Sequence, residues 1–231
     1  TPANPKNCAI TWNKMSIGRI DWIIGHVPPC KTLADVGCDH GIVGGRCLMY
    51  GLAKYVHFID VSQPSLDKAK GWIPKAFAPN IDFTCQDGLG DFTCDCAVIA
   101  GMGGLETISI LSKAAHLPQK LVLQPMRNQP DVRRWLVNSG YGIVSDEMAL
   151  FADKYYDLIV AELGKGQTQL TDLQFEFGIG NLRGDSGAFF EYLEEKKQTL
   201  EEIMKQTNDS GVKARYDLLC AAVENILEEM A

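Results

Sequence analysis

The sequence predicts an α/β fold, a seven-stranded and mostly parallel sheet with helices on both faces and an α-helical hairpin appended after it. Three observations predict it. Short apolar runs alternate with longer stretches of helical period through the first two-thirds of the chain, the pattern of strands joined by crossover helices. Two further strand-like runs follow with only a short polar bend between them, so they pair as an antiparallel hairpin. The remaining residues carry two long apolar stripes at helical spacing, which pack on each other as a coiled-coil pair.

The elements follow in order. Residues 10–27 place Ile17, Ile20, Trp22, Ile23 and Ile24 on one face of an amphipathic helix, stopped by Pro28-Pro29. Five strands are expected at residues 32–36, 56–60, 81–85, 95–100 and 120–124. Helices are expected between and after them at residues 43–51, 62–73, 105–115 and 129–139. Ser62 is a suitable N-cap for the second of these, with Pro64 tolerated in its first turn. The hairpin strands are residues 141–148 and 155–162, and residues 175–180 read as a loop or short turn. Two closing helices span residues 188–207 and 211–229. Gly164 to Thr168 marks a boundary, giving one unit over residues 1–166 and a C-terminal helical hairpin over residues 167–231.

Composition narrows the class. At 231 residues with 46% hydrophobic content, the chain has the material for one packed core and an appendage. No uncharged apolar run reaches the roughly 18–20 residues of a membrane span, and residues 1–14 lack the apolar centre of a signal peptide; a cytoplasmic location is the expectation. The eight cysteines include no Cys-x-x-Cys pair, so they read as buried thiols in a reducing compartment and no metal site is expected. The net charge of -7 is uneven: residues 1–170 hold 16 Lys/Arg and 16 Asp/Glu, whereas residues 171–231 hold 6 against 13.

Four loops, all predicted at carboxyl ends of strands, hold the chemistry. The first is Asp35-Val36-Gly37-Cys38-Asp39-His40-Gly41, a glycine turn between an apolar strand and a helix, as in nucleotide-binding crossovers. Asp39 stands where a dinucleotide-binding Gly-x-Gly-x-x-Gly turn has its second glycine, and its carboxylate would repel a pyrophosphate. S-adenosylmethionine carries an ammonium and a sulfonium against one carboxylate, so an acidic turn suits it. The second loop begins at Asp60, an acid placed to accept bonds from ribose hydroxyls. In the third, Gln86-Asp87-Gly88-Leu89-Gly90, an acid can hold the adenine amino group. The fourth, Gly101-Met102-Gly103-Gly104, presents backbone N–H groups to the pocket beside the methyl to be transferred. Plainer roles stay open on the residues alone: Asp39 and Asp60 as helix-capping acids, residues 86–90 as a polar turn. An Asn/Asp-Pro-Pro-aromatic turn, which serves attack by exocyclic amines, is absent.

These motifs, with Leu123-Gln124-Pro125, the strand Tyr155-Tyr156-Asp157-Leu158-Ile159-Val160-Ala161-Glu162 and the Phe177-Gly178 turn before a helical hairpin, resemble the bacterial tRNA adenine-N1 methyltransferase family, which modifies adenosine 22. The resemblance covers nearly the whole chain. It implies a Rossmann-like class I methyltransferase domain with a C-terminal coiled coil, S-adenosylmethionine as cofactor, and tRNA as partner. The chain departs from the family at Gly41-Ile42-Val43-Gly44, where Ala-Tyr-Leu-Pro is usual, and at Met126, where Asn is usual.

The resemblance implies cofactor binding by Asp35, Gly37, Asp39, Asp60, Gln86, Asp87, Gly88, Gly101, Met102 and Gly103. Asp39 and His40 are the expected catalytic residues, with a purely structural His40 left open. Lys14, Arg19, Arg127, Arg133 and Arg134 are candidate phosphate contacts, each equally readable as a solvated surface charge. A small-molecule methyl acceptor, or cofactor binding without catalysis, remains an alternative at this level.

Overall fold

The computed structural model describes residues 18–166, 170–184 and 186–229. Its centre is one seven-stranded sheet in the order β3-β2-β1-β4-β5-β7-β6, formed by β1 (Cys30–Val36), β2 (Ala53–Asp60), β3 (Ile81–Cys85), β4 (Cys96–Ala100), β5 (Lys120–Gln124), β6 (Tyr141–Phe151) and β7 (Lys154–Leu163). Strands β1 to β5 pair in parallel, and β7 enters antiparallel between β5 and β6. The alternation of apolar runs and helical stretches thus has the outcome expected of it.

Helices α1 (Arg19–Gly25), α2 (Ile42–Met49) and α3 (Gln63–Trp72) lie on one face; α4 (Gly104–Lys113) and α5 (Gln129–Asn138) lie on the other. The period-2 alternation of each strand sorts residues between two cores. Leu33, Phe58, Val98 and Val122 pack under the first three helices, while Ala34, Ile59, Ile99 and Leu123 pack under α4 and α5. Central strands are buried on both faces and read as continuous apolar runs for that reason. Ser62 caps α3 by accepting the N–H of Ser65 at 3.4 Å. The β6–β7 hairpin turns through Ala152 (φ 47) and Asp153 (φ 60), two left-handed residues that match the twist of the paired strands.

The segment expected to be a loop at residues 175–180 is instead two short helices, α6 (Asp172–Phe177) and α7 (Ile179–Leu182), split by Gly178. Thr171 and Gln174 form a reciprocal capping box that starts α6, a local signal that outweighs its short length. Gly178 has φ +91, and a Cβ there would lie 2.5 Å from the Asp146 carboxyl. Glycine is what lets the chain pass over that acid. A 3-10 turn at Lys75–Asn80 is likewise absent from the sequence reading.

The closing helices α8 (Gly187–Met204) and α9 (Ser210–Glu229) pack together as expected. Their core is shared with the sheet: Phe189, Leu193, Leu219 and Ile226 bury against Met148 of β6, Phe177 of α6 and Leu182 of α7. Beneath this junction Arg133 of α5 is fully buried. Its Nε and Nη2 donate to the two carboxylate oxygens of Asp146 at 2.7 and 2.9 Å, and Nη2 also reaches Asp157 at 3.1 Å. Its Nη1 donates to the carbonyls of Phe175 and Glu176 at 3.3 and 2.9 Å. Burial works against the guanidinium charge, the two carboxylates outweigh it, and the pKa of Arg133 rises. No helix among the described residues is long and apolar enough to cross a membrane.

Candidate functional site

In this sheet the strand order reverses between β1 and β4, so the loops leaving their carboxyl ends diverge and open a crevice. The β1 loop is tied to the neighbouring strand: Gly37 N–H and Cys38 N–H both donate to the Ile59 carbonyl, at 2.8 and 3.1 Å. Asp39 then takes φ 47, a left-handed conformation that aspartate tolerates better than most residues. Its N–H donates to Asp60 Oδ2 at 2.9 Å, while Asp60 Oδ1 accepts the Ser62 N–H at 2.8 Å. One carboxylate therefore clamps the first loop to the second and also steadies the entry to α3.

Asp39 Oδ2 lies 2.7 Å from His40 Nδ1, and both side chains stay exposed, at 68% and 47%. The His40 carbonyl accepts the Trp72 Nε1 hydrogen bond at 2.6 Å, which fixes the backbone and leaves the imidazole free to face the crevice. Asp35 contrasts with Asp39. It is 4% exposed, accepts the Gly44 N–H at 2.8 Å, and burial pushes its carboxyl up to about 7. The glycines of the departing segment 41–44 are explained by space: a Cβ on Gly41 would lie 2.8 Å from Ala69, and one on Gly44 2.7 Å from Phe58.

The fourth loop is sewn to the one after β5. Gly101 N–H donates to the Gln124 carbonyl at 3.0 Å, Met126 N–H to Met102 O at 2.8 Å, and Gly104 N–H to Arg127 O at 2.9 Å. The Met102 side chain crosses over Gly37, where an added Cβ would fall 1.8 Å from Met102 Cε. Gly37 (φ +65) thus serves both the turn and this close approach. In the third loop Gln86 Nε2 folds back onto the Gly88 carbonyl at 2.9 Å, and Asp87 pairs with Lys113 at 3.0 Å on the surface.

Two adjoining cavities result, with Gly37 and Met102 common to their walls. The larger, about 320 Å³, is lined by Arg19, Asp35, Asp39, His40 and Gly101 among others. The smaller, about 130 Å³, is lined by Asp60, Gln86, Asp87, Gly88 and also Glu106 and Ile110 of α4. All the expected cofactor residues but Gly103 therefore line one cavity or the other. Gly103 instead caps α4 and faces the Arg127 guanidinium.

The expected phosphate contacts separate widely. Arg127 is exposed at the rim beside Gly103, and Arg134 is exposed over the Phe175 ring at 4.4 Å, with Asp172 at 3.2 Å. Arg133 is corrected: it is 0% exposed and fully engaged with Asp146, Asp157 and two carbonyls, so it cannot reach a phosphate. Lys14 lies outside the described residues. Arg19 turns inward, donating to Gln124 Oε1 at 2.5 Å with its guanidinium 5.2 Å from the Tyr156 ring centroid. Gln124 is a site-building residue that sequence reasoning missed. Its signal was a polar side chain closing an otherwise apolar strand at the ligand end.

The donor set suits a small ligand with separated charges: carboxylates at Asp35, Asp39 and Asp60, the Arg19 guanidinium in the wall of the larger cavity, and glycine backbones that admit close contact. S-adenosylmethionine has that charge pattern, so the residues present fit it.

Comparison with known proteins adds to this geometry. A family model described as a methyltransferase domain matches residues 17–159. A protein of Mycoplasma pneumoniae described as a candidate tRNA methyltransferase is 30% identical over 154 residues, covering 64% of this chain and 71% of the relative. The tRNA (adenine(22)-N(1))-methyltransferase of Bacillus subtilis is 27% identical over 169 residues, covering 70% and 71%. The crystal structure of a candidate tRNA (m1A22) methyltransferase of Streptococcus pneumoniae superposes with a TM-score of 0.79 at 25% identity, covering 94% of this chain and all of the other. The same streptococcal protein in complex with S-adenosyl-L-methionine superposes with a TM-score of 0.75 at 24% identity, covering 92% and 98%.

Proposed function

We propose, from the premise that this chain belongs to the methyltransferase-domain family and within it to the bacterial tRNA adenine-N1 methyltransferases, that it methylates N1 of adenosine 22 in tRNA. The observation that carries the reading is the acidic β1 turn at the strand-order reversal, where Asp39 and His40 stay exposed in a cavity that Gly101 and Met102 also line. In this reading residues 1–166 form the catalytic unit and residues 167–231 an appendage. The reaction runs in the cytoplasm, where its RNA substrate is found.

S-adenosylmethionine, when bound, supplies an electrophilic methyl group. The chain's own residues bind and orient. Asp35 and Asp39 hold positive charge at the amino-acid end, and Asp60 accepts from ribose hydroxyls with the lone pairs that Asp39 and Ser62 leave free. Gln86, Asp87 and Gly88 form the wall against adenine. Gly101 and Met102 keep the backbone close to the transferred group. No general base is needed at the acceptor, because adenine N1 carries a free lone pair at neutral pH. N1 lies on the pairing edge, so the base must enter unpaired or flipped out. Methylation leaves that ring positively charged, and the Asp39 carboxylate, oriented by His40, stabilises the developing charge. Arg127, exposed beside Gly103, and Arg134, exposed over Phe175, contact phosphates.

The test is methyl transfer from labelled S-adenosylmethionine to a tRNA transcript and to the same transcript with guanosine at position 22. Label on the first alone is expected. Equal labelling of both would sink the site specificity, and labelling of neither would sink the activity.

A further inference from the structure

The loop that follows β5 exposes a large apolar side chain and at the same time holds it still. Met126 is 48% exposed and lines neither cavity of the cofactor site. Its N–H donates to the Met102 carbonyl at 2.8 Å, so its backbone is tied to a residue common to both cavity walls. Its sulfur accepts a hydrogen bond from Gln124 Nε2 at 3.3 Å. A thioether is a weak acceptor, but this donor is fully buried and is itself fixed, because Gln124 Oε1 accepts from Arg19 at 2.5 Å. The sulfur is therefore held at the ligand end of β5, and the terminal methyl is the free end of the side chain.

Met126 has company at this end of the sheet. Ile42, Val61 and Leu105 are also exposed, and the four residues follow the carboxyl ends of four different parallel strands, β1, β2, β4 and β5. A single exposed apolar side chain needs no explanation, whereas several gathered around one crevice mark a surface that something covers. A base that has left its stack to reach the methyl group needs an apolar or aromatic surface for its faces. Among the described residues the larger cavity has no Phe, Tyr or Trp in its lining, and the nearby Tyr156 ring already has the Arg19 guanidinium 5.2 Å from its centroid. Methionine meets the need without a ring, since its thioether is polarizable, adapts to a flat surface and contacts aromatic rings favourably. Of the four residues, Met126 has its side chain fixed by a hydrogen bond, and its loop is sewn to Gly101, Met102 and Gly104.

We propose that Met126, positioned by Gln124, is a wall of the acceptor-base site and packs its thioether against the purine ring that receives the methyl group. The proposal rests on the tRNA adenine reading above and deepens it, because it gives the flipped base a contact outside the cofactor cavities.

Equilibrium binding of two tRNAs to the full chain tests it, with S-adenosylhomocysteine present so that no methyl is transferred. One tRNA carries adenosine at position 22 and the other an abasic ribose there. The wild-type chain should bind the first more tightly. Met126→Ala should weaken binding of the first about 3- to 10-fold and of the abasic tRNA less than about twofold, with its urea midpoint unchanged. Met126→Leu, which restores the apolar bulk, should recover most of the loss. Equal weakening of both tRNAs by Met126→Ala would overturn the proposal in favour of a contact to the RNA backbone or a structural role. A Met126→Ala chain that keeps the full wild-type preference for adenosine would overturn this proposal alone. A wild-type chain that does not distinguish the two tRNAs would overturn the position-22 reading with it.

Discussion

Arg19 and Arg133 are both arginines on helices that flank the sheet, and they have opposite environments. Arg133 is sealed beneath the tail, with Asp146, Asp157 and two backbone carbonyls using its donors. Arg19 reaches an open crevice with one neutral amide and one aromatic face as partners, while Asp35 and Asp39 line the same space without pairing to it. A buried charge network that is internally complete holds a fold together and has nothing left for a ligand. Charges held apart across a cavity by rigid neighbours are incomplete in the way a binding site has to be. The difference lies in which donors the rest of the chain consumes, and it separates two residues of identical chemistry.

The largest effect that would break this comparison lies at the sealed end. Arg133→Met removes the cation and leaves Asp146 and Asp157 facing each other in the interior, so it should cost about 3–5 kcal/mol of unfolding free energy. Urea denaturation measures it. A loss below 1 kcal/mol would mean the junction does not depend on this network. The smaller effect lies at the open end and has a sign. Burial raises the folded-state pKa of Asp35 from 3.8 to about 7, so the folded chain holds this proton more tightly than the unfolded one. The cost of burying the ionised carboxylate is therefore absent at low pH, grows as pH rises from about 4, and is complete above about 7. Ligand affinity should slope the other way. A cationic partner requires the ionised acid, so binding should strengthen about fivefold between pH 6 and pH 7 and level off above about pH 8. Affinity that does not change across that range would remove Asp35 from the binding set.

Much of this was legible in the sequence, and the parts that were not have physical reasons. The strands and helices of the sheet follow from local periodicity, and β5 was placed at its observed bounds because Leu121 to Leu123 are apolar on both faces. The four loops were legible because strand, glycine and acid occur together within a few residues. The helices α6 and α7 escaped, since six- and four-residue elements carry too little period to register; only the Thr171/Gln174 cap announced the first. Arg133 was misread because nothing local tells a buried arginine from a solvated one: its partners stand 13 and 24 residues away. The inward course of Arg19 was not legible for the same reason, its partner Gln124 lying 105 residues on. Long-range pairing decides what a charge does, and spacing along the chain does not encode it.

The central claim is that the acidic β1 turn is a receptor for a positively charged methyl donor, and the most direct measurement is S-adenosylmethionine binding to the wild-type chain and to Asp39→Asn by calorimetry. Asp39→Asn keeps the size of the side chain, and asparagine accepts the left-handed φ of this position, so the turn should hold while its charge is lost. The account predicts saturable wild-type binding and a loss of about 2–3 kcal/mol in the variant, roughly 30- to 150-fold, the range for a hydrogen-bonded charge. Unchanged affinity in a folded Asp39→Asn protein would contradict it.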